Sequence, residues 1–480
     1  MDFNKNNYKV KTVNVGGESL EYRAFAGISY CDHPKDAEFQ TLSIFVPECY
    51  YRGQNIGGYS LDNAPVFFPN SVGGYMPGES EEPGAIMRGP FSENRPNSLF
   101  KAVKHGYVAV SAGIRGRIMK NGKGENIGKA PALIVDYKAA VRYLHKFADE
   151  LPGDMNKIIT NGTSAGGALS SLIGAAGNHP DYEPYLKEIG AAEASDAVFA
   201  ASCYCPITNL DHADAAYEWE FSGVYDYHRM NMDMGEGGRP NFTPVDADMD
   251  EERIYVSKEL EASFPAYVNS LNLKDENSIP LTLDSDGNGS FKEYVRKIVL
   301  ASANRQLKEH VAEKYRQNDE PFGQPEEKEW LKIEDGTAVD MDFYGWAKEI
   351  TRMKNAPAFD DITNDSPEND EFGSVRIDMR HFTDYSLTHS KAGGRKAEEN
   401  VIKMLNPMYY IGDDKAQTAH HWRIRHGECD RDTSLAISAM LALKLAENGC
   451  RVDYQAPWER PHSGDYDLDE LFVWIDSICR

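Results

Sequence analysis

The chain has 480 residues, of which 41% are hydrophobic and 26% are charged, as in ordinary globular proteins. Its 76 acidic and 51 basic residues give a formal net charge of -25. That charge repels phosphate backbones and anionic lipid surfaces, so neither nucleic acid nor a membrane is an expected partner. No apolar stretch of the sequence approaches the roughly 18–20 residues that cross a bilayer.

The N terminus and the cysteines favour a cytoplasmic protein. Residues Met1 to Tyr8 are polar and lack the apolar region of a secretory signal. Seven cysteines spread over a long chain indicate reduced thiols rather than a disulfide framework. Cys203 and Cys205 have no second close pair, so no zinc site is predicted from them. We therefore expect a cytoplasmic monomer without a metal or other cofactor.

Strand-like and helix-like segments alternate over residues 1–209, which is typical of an α/β sheet covered by helices on both faces. Short segments rich in β-branched and aromatic residues predict strands at 42–46, 66–68, 107–111, 157–160 and 198–207. An amphipathic pattern predicts a helix over 131–151, and small apolar residues predict another over 168–175.

The composition changes after about Asn209. Residues 210–405 are rich in Asp, Glu, Asn and Lys, with helical pieces such as Glu293 to Arg316. A structureless loop of this length is not expected, since loops beyond about 15 residues are uncommon in compact domains. We predict a lid or cap domain here, inserted into a core of residues 1–209 and 406–480. In the second part of the core, strands and helices are predicted at 422–425, 433–448, 451–456 and 468–479.

The segment Gly162 to Gly167 (GTSAGG) lies directly between the strand predicted at 157–160 and the helix predicted at 168–175. Small residues on both sides of a serine allow the sharp strand-to-helix turn that exposes the nucleophile of an α/β-hydrolase. The pattern G-x-S-x-G is a weak signal by itself, and this context strengthens it. The sequence therefore predicts an α/β-hydrolase with Ser164 as its nucleophile.

A serine nucleophile needs a histidine base and a carboxylate that orients the histidine. In this fold the carboxylate precedes the histidine, and both lie on loops after late strands. Asp430 follows the strand predicted at 422–425, and His462 lies between the last predicted strand and the last helix. The histidines in or near the strand at 422–425 are interpreted as structural: His420, His421 and His426.

An oxyanion hole needs two backbone N–H donors. Ala165, directly after the nucleophile, is expected to provide one of them. The second is expected from the glycine-containing loop at 69–78, which follows an early predicted strand. Gly74 and Gly78 are the candidates, and the sequence does not choose between them.

These motifs resemble one family. The GTSAGG segment around Ser164, residues 427–434 with Asp430 and Asp432, and the HSGDY segment that begins at His462 are similar to those of bacterial tannases, or tannin acyl hydrolases. The resemblance covers nearly the whole chain. It implies hydrolysis of galloyl esters and depsides, with release of gallic acid, by a triad of Ser164, His462 and Asp430.

The resemblance also implies a site for the galloyl ring. In that family a lysine and two carboxylates bind the ring hydroxyls, and the matching positions are Lys354, Glu368 and Asp432. Phenolic hydroxyls donate to carboxylates and accept from an ammonium, and such charge-assisted bonds are strong. From the residues alone, Lys354 and Glu368 would be interpreted as surface charges, and for Asp432 a cap of the helix that follows explains the residue about as well as ligand binding.

One departure separates the chain from the fungal tannases and the feruloyl esterases related to them. Those enzymes carry a cysteine directly before the nucleophile and another beside the histidine, and the two form a disulfide. Here Thr163 precedes the serine, while Pro461 and Ser463 flank the histidine. The resemblance is therefore to the bacterial branch.

Residues 284–290 (DSDGNGS) match the opening of an EF-hand loop, in which oxygen ligands alternate and a glycine makes the turn. Position twelve of that loop is Val295 rather than the bidentate glutamate. A turn rich in Asx and glycine residues is the favoured interpretation, and calcium binding is the alternative.

Three other functions stay open on the sequence. A feruloyl or other hydroxycinnamoyl esterase would share the triad and need a longer acyl pocket. A serine exopeptidase would need acidic residues in the lid that hold a substrate amino terminus. An inactive hydrolase fold that serves as a binding protein would lack an activated Ser164.

Overall fold

The computed structural model describes residues 1–88, 91–234, 240–309 and 324–480. The strands are β1 Lys9–Val15, β2 Glu18–Ser29, β3 Thr41–Pro47, β4 Pro65–Pro69, β5 Ala85–Arg88, β6 Phe91–Pro96, β7 Val108–Ala112, β8 Asp154–Thr163, β9 Ala200–Tyr204, β10 Asp226–Met234, β11 Pro240–Asp248, β12 Leu331–Glu334, β13 Thr337–Met341, β14 His421–Arg425 and β15 Arg451–Gln455.

The α-helices are α1 Ser98–His105, α2 Ala132–Lys146, α3 Ala165–Ala175, α4 Glu183–Glu188, α5 Leu210–Glu220, α6 Glu251–Ser270, α7 Ser290–Glu309, α8 Phe343–Ile350, α9 Pro367–Glu371, α10 Asp384–Thr388, α11 Glu399–Met404, α12 Leu435–Glu447 and α13 Leu468–Cys479. Short 3-10 helices span Glu48–Arg52, Pro180–Tyr182, Pro325–Glu327 and Pro407–Tyr409.

The core of the fold is a nine-stranded sheet with the strand order β1-β2-β3-β7-β4-β8-β9-β14-β15. The pairs from β1 to β7 are antiparallel, and the pairs from β7 to β15 are parallel. Every residue of β7 and β9 is buried, as expected for strands covered on both faces. The alternating pattern of the sequence thus produces a mixed sheet between layers of helices.

The carboxyl ends of β8, β9, β14 and β15 lie at one level of the sheet. Their last residues are paired across the sheet in one row: Thr163, Tyr204, Arg425 and Gln455. Ligands of open α/β sheets bind outside the carboxyl ends of the strands. The segments that carry Ser164, Asp430 and His462 all leave the sheet at this edge.

Residues 210–405 contribute no strand to the nine-stranded sheet, as far as these residues are described. They form α5 to α11 and two antiparallel hairpins, β10 with β11 and β12 with β13. Helix α5 packs against α6 and also against α12, which follows the insert in the chain. We keep as a proposal the division into a core of residues 1–209 and 406–480 and an inserted lid of residues 210–405.

Several element boundaries differ from those that the sequence predicts. The helix predicted over 131–151 ends at Lys146, because the chain then turns back towards β8. The helix predicted over 293–316 is α7 as far as Glu309, and residues 310–316 lie outside the described ranges. The sequence analysis missed the hairpin of β1 and β2, whose turn contains Gly16 and Gly17 with positive φ.

The EF-hand-like segment forms a turn whose oxygens are bonded to donors of the chain itself. The Asn288 side-chain amide donates to Oδ2 of Asp286 at 3.0 Å, and Nζ of Lys292 donates to Oδ1 of Asn288 at 2.9 Å. An ammonium group at this place opposes a cation, so the geometry favours the turn over calcium binding.

Two further sequence features are seen in the structure. All seven cysteines are free thiols, as predicted. Within the described ranges, no helix combines the length and the apolar character that a membrane span requires.

Candidate active site

Ser164 lies in the sharp turn between β8 and α3, with φ of 63° and ψ of -125°. Such a conformation is strained for a residue with a side chain, and neighbouring bonds must hold it. The Ser164 N–H donates to the carbonyl of Tyr204 at 3.0 Å. The Ser164 carbonyl accepts from the N–H of Ala168 at 2.9 Å and of Ile207 at 3.2 Å. The turn is therefore fixed by both α3 and the segment after β9.

The glycines around Ser164 are needed for close approach of the backbone. A Cβ on Gly162 would lie 2.3 Å from the carbonyl oxygen of Gly166, and one on Gly166 would lie 2.6 Å from that of Val72. A Cβ on Gly167 would lie 2.5 Å from the Tyr204 carbonyl oxygen. Any larger residue would push apart β8, α3 or the loop after β4, so the small residues of the motif have a steric reason.

Asp430 and His462 form a hydrogen-bonded pair. Nδ1 of His462 lies 2.8 Å from Oδ2 of Asp430, whose side chain is fully buried. The other carboxylate oxygen accepts the N–H of Asp432 at 2.8 Å. His426 lies farther away, at 3.8 Å from Asp430, and its Nδ1 pairs with Oγ of Ser438 at 3.0 Å. The geometry thus pairs Asp430 with His462 and gives His426 a structural partner.

The two members of this pair shift one another's pKa. Burial opposes the charged form of each group. The His462 ring nevertheless holds the pKa of Asp430 below its usual value, through its charge and its hydrogen bond. In the same way the Asp430 carboxylate holds the pKa of His462 well above that of an ordinary histidine. The pair therefore stabilises an imidazolium.

The loops that carry Asp430 and His462 are bonded to each other. The N–H of Glu428 donates to the Pro457 carbonyl at 3.0 Å, and the N–H of Cys429 donates to the Arg460 carbonyl at 3.2 Å. A Cβ on Gly427 would lie 2.1 Å from that same Arg460 oxygen. The loops after β14 and β15 can approach this closely only because residue 427 is a glycine.

The loop of His462 also packs against the nucleophile turn. A Cβ on Gly464 would lie 1.8 Å from Oγ1 of Thr163, the neighbour of Ser164. Nε2 of His462 is buried and has no hydrogen-bond partner among the described residues, so no hydrogen bond joins it to Ser164 in this structure. Catalytic hydrogen bonds are often long in the free state and tighten when substrate binds.

The two candidate oxyanion glycines differ in how their backbone is used. The N–H of Gly78 donates to the Ile114 carbonyl at 2.9 Å. The N–H of Gly74 has no such partner within the described ranges, and its carbonyl accepts Nε of Arg117 at 2.9 Å. Gly74 and Ala165 are therefore the pair of donors that we keep as a proposal.

The structure brings the three predicted ring-binding residues together. Glu368 lies on α9 and is 6% exposed, and burial raises the pKa of its carboxyl. The positive charge of Lys354 opposes this rise in pKa, while the negative charge of Asp432 adds to it. Nζ of Lys354 lies 3.9 Å from the ring centre of Phe359. The charges of Lys354 and Asp432 thus lie near enough to act on the pKa of Glu368, and within the described ranges none of the three residues forms an ion pair.

Asp432 does not cap the helix that follows it. The N-cap of α12 is Ser434, whose side chain accepts the N–H of Ala436 at 3.1 Å. The capping interpretation of Asp432 is therefore wrong, and the charge of its half-buried carboxylate acts on Glu368.

The sequence analysis missed the place of Cys205 beside Asp430 and His462. Its Sγ, a carboxylate oxygen of Asp430 and a ring nitrogen of His462 lie within 4.8 Å of one another. The spacing would admit a metal ion, although Asp430 and His462 are already bonded to each other. Cys205 directly follows β9, at the same level as Ser164 after β8, and this was the signal that could have indicated its place.

A strained strand-to-helix turn and a bonded Asp–His pair at one edge of a mixed sheet are typical of the α/β-hydrolase class. The family described as BD-FAE matches residues 87–222. Esterase LipC of Mycobacterium tuberculosis is 41% identical over 68 residues, which are 14% of this chain and 17% of that esterase. The predicted α/β-hydrolase fold is confirmed, and the chain is a carboxylic ester hydrolase.

Solved structures that match the whole chain narrow the class to a family. Tannase from Lactobacillus plantarum has a TM-score of 0.93 and 41% identity, over 100% of this chain and 98% of that one. Fusobacterium nucleatum tannase has a TM-score of 0.91 and 44% identity, and the match covers 100% of this chain and 99% of that tannase. A tannin acyl hydrolase in complex with ethyl gallate has a TM-score of 0.91 and 40% identity, and the match covers 100% of this chain and 98% of that hydrolase. The chain belongs to the bacterial tannase family.

Proposed function

We propose that the protein hydrolyses galloyl ester and depside bonds of tannins and alkyl gallates, and that it releases gallic acid. The observation that carries the proposal is the cluster of Lys354, Glu368 and Asp432 beside the Asp430–His462 pair. The family supports it, since a tannin acyl hydrolase 40% identical to this chain was solved with ethyl gallate.

In this proposal Ser164 is the nucleophile and His462 is its general base. Oγ of Ser164 attacks the ester carbonyl, and Nε2 of His462 takes the hydroxyl proton and gives it to the leaving alcohol. Water then attacks the galloyl-enzyme, with His462 again moving the proton. Asp430 orients the imidazole through the 2.8 Å bond at Nδ1. The N–H groups of Ala165 and Gly74 stabilise the oxyanion.

The three charged residues would hold the galloyl ring by its hydroxyls. Glu368 and Asp432 accept hydrogen bonds from ring hydroxyls, and the Lys354 ammonium donates to a ring oxygen. Among the described residues these three form no ion pair, which supports this role, because no opposite charge of the protein is bonded to them there. An ester without ring hydroxyls would leave buried polar groups unpaired and would bind poorly.

The nucleophile is tested with Ser164→Ala. Methyl gallate hydrolysis should fall by at least about 10³-fold, and labelling by a fluorophosphonate should disappear. Ser171→Ala is the matched control, since Ser171 also lies in α3 and its hydroxyl donates to the carbonyl of Ala168 at 2.7 Å, within its own helix. Retained hydrolysis in Ser164→Ala would show that another residue is the nucleophile.

The substrate is tested by comparing methyl gallate with methyl ferulate and an aminoacyl amide. We expect kcat/KM for the gallate to exceed that for the ferulate, and no cleavage of the amide. Lys354→Ala and Glu368→Ala should each raise KM for methyl gallate about tenfold while fluorophosphonate labelling stays unchanged. A ferulate preference, or unchanged KM in both variants, would contradict the galloyl site.

We propose a cytoplasmic monomer whose partners are small phenolic esters, with residues 210–405 acting as a lid. The tannase structures solved with ethyl gallate and with 3,4-dihydroxybenzoate support phenolic ligands.

A further inference from the structure

The hydroxyl of Tyr217 makes three hydrogen bonds in the interior of the protein. Tyr217 lies on α5 and is fully buried. Its hydroxyl donates to the carbonyl of Arg431 at 2.8 Å. The same oxygen accepts the N–H of Met353 at 3.0 Å and, at a longer 3.3 Å, the N–H of Lys354. One side-chain oxygen thus joins two segments that come from different parts of the chain.

Each of these segments carries residues of the candidate site. Arg431 lies between Asp430, which pairs with His462, and Asp432, one of the two carboxylates proposed to bind the ring. Lys354 is the cation proposed to bind it. The Tyr217 hydroxyl therefore links the backbone beside Asp432 to the backbone of Lys354, on the two sides of the proposed ring site.

Neighbouring residues of α5 fix the Lys354 segment as well. Glu218 forms a bidentate pair with Arg352, at 2.6 and 2.8 Å, and both side chains are fully buried. Nε of Arg352 donates to the carbonyl of Lys354 at 2.8 Å. The backbone of Lys354 is thus held at its carbonyl by Arg352 and at its N–H by Tyr217.

We propose that Tyr217 is a positioning residue for substrate: its hydroxyl sets the separation between Lys354 and Asp432, and so the fit of the galloyl ring. The inference rests on the proposed galloyl function and deepens it. Without the hydroxyl, the Arg431 carbonyl loses a donor and the Met353 N–H loses its acceptor in a buried place. The two segments can then move apart, and a small misplacement of binding groups costs substrate affinity.

The test is Tyr217→Phe, which removes the hydroxyl and keeps the ring beside Phe221 and Phe359. Tyr143→Phe is the matched control, because Tyr143 is also fully buried and its hydroxyl donates to a backbone carbonyl, that of Asp2, at 2.9 Å. Two quantities are measured for each protein. They are KM for methyl gallate and the rate constant of inactivation by a fluorophosphonate, which reports on Ser164 without using the ring site.

We expect Tyr217→Phe to raise KM for methyl gallate about tenfold and to change the inactivation constant by less than about twofold. Tyr143→Phe should change neither. Both quantities are independent of the amount of folded enzyme, so a partly unfolded variant still gives a result.

Two results would overturn the inference. One is an inactivation constant that falls about tenfold, since Tyr217 would then act on Ser164 and His462; the other is an unchanged KM. If the wild type itself fails to hydrolyse methyl gallate, the proposed function is wrong. Calorimetric binding of gallic acid to wild type and Tyr217→Phe then decides this inference separately, and equal affinity would overturn it.

Discussion

His462 and Asp430 show how a buried pair of side chains sets its own protonation. One oxygen of the Asp430 carboxylate is hydrogen-bonded to Nδ1 of His462, and the other accepts the N–H of Asp432. These two bonds stabilise the negative charge of the buried carboxylate. That charge favours the imidazolium and raises the pKa of His462. A general base must be neutral to accept a proton, so the raised pKa limits activity at low pH.

We predict that the acid limb of kcat/KM for methyl gallate has its midpoint above pH of about 6.5, the ordinary value for histidine. Asp430→Asn removes the charge that favours the imidazolium, so His462 loses its proton at lower pH. The midpoint should move to lower pH, and kcat should fall by several orders of magnitude because the imidazole is no longer oriented. A pH-rate profile from about pH 4.5 to 9 checks both effects. A midpoint that stays in place would contradict the assigned pair.

At the scale of elements, the site depends on strands that end together and on the loops that leave them. The paired row at the ends of β8, β9, β14 and β15 places the four segments that follow these strands at one edge of the sheet. The loops after β14 and β15 are then bonded to each other by two backbone hydrogen bonds, from Glu428 and Cys429. This contact fixes the two loops relative to each other, and with the pairing of β14 and β15 it holds Asp430 close to His462.

Gly427→Ala is predicted to separate these two loops. Its Cβ would meet the Arg460 carbonyl oxygen at 2.1 Å, and a backbone atom cannot move away as a flexible side chain can. We expect a loss of about 1–3 kcal/mol in the free energy of unfolding and a lower kcat on methyl gallate.

Gly122→Ala provides the control for Gly427→Ala, because nothing lies within 4 Å of a Cβ at Gly122 and its φ is not positive. Urea unfolding and steady-state kinetics of the two variants make the comparison. Equal stability and equal kcat in both would show that the close contact of the loops is not needed.

On the scale of the whole molecule, the site is assembled from two parts of the chain. Residues 1–209 and 406–480 carry Ser164, Asp430 and His462, and residues 210–405 carry Lys354 and Glu368. Helix α5 at the start of the insert contacts α12, and Glu220 is one of the links. Its Oε2 accepts Oγ of Ser434 and the N–H of Leu435, each at 2.8 Å.

Glu220 is predicted to make global stability depend on pH. Burial raises the pKa of Glu220 to about 8, although the hydrogen bonds from Ser434 and Leu435 favour the charged form and oppose this rise. A raised pKa means that the folded state binds the proton more tightly than the unfolded chain does. Its contribution is therefore complete below the unfolded pKa of 4.5 and is lost as the pH rises through the folded value.

Glu220→Gln should abolish this dependence. Relative to the variant, the wild type should lose on the order of 1 kcal/mol per pH unit in the free energy of unfolding between about pH 5 and 8. Urea unfolding at several pH values measures it, with the exposed Glu38→Gln as control. A difference between wild type and Glu220→Gln that does not vary with pH would contradict a buried, proton-binding Glu220.

The sequence by itself determined the alternating α/β core, the strand-turn-helix at Ser164, and the order of Asp430 and His462 along the chain. These features depend on local patterns and on the steric requirements of a few adjacent residues, and both are visible in the sequence. Lys354 and Glu368 gave no local signal, and only the resemblance to a family indicated them. Their roles stay predictions.

The tertiary structure alone decided which loops meet. Tyr217 and Arg431 are 214 residues apart in the chain and share a hydrogen bond, while Cys205 reaches the triad from the neighbouring strand end. Local propensity acts over a few residues and carries no information about such partners. They are fixed by strand order and by the packing of α5 on the core, because buried hydrogen-bonding groups must find partners wherever the fold brings them.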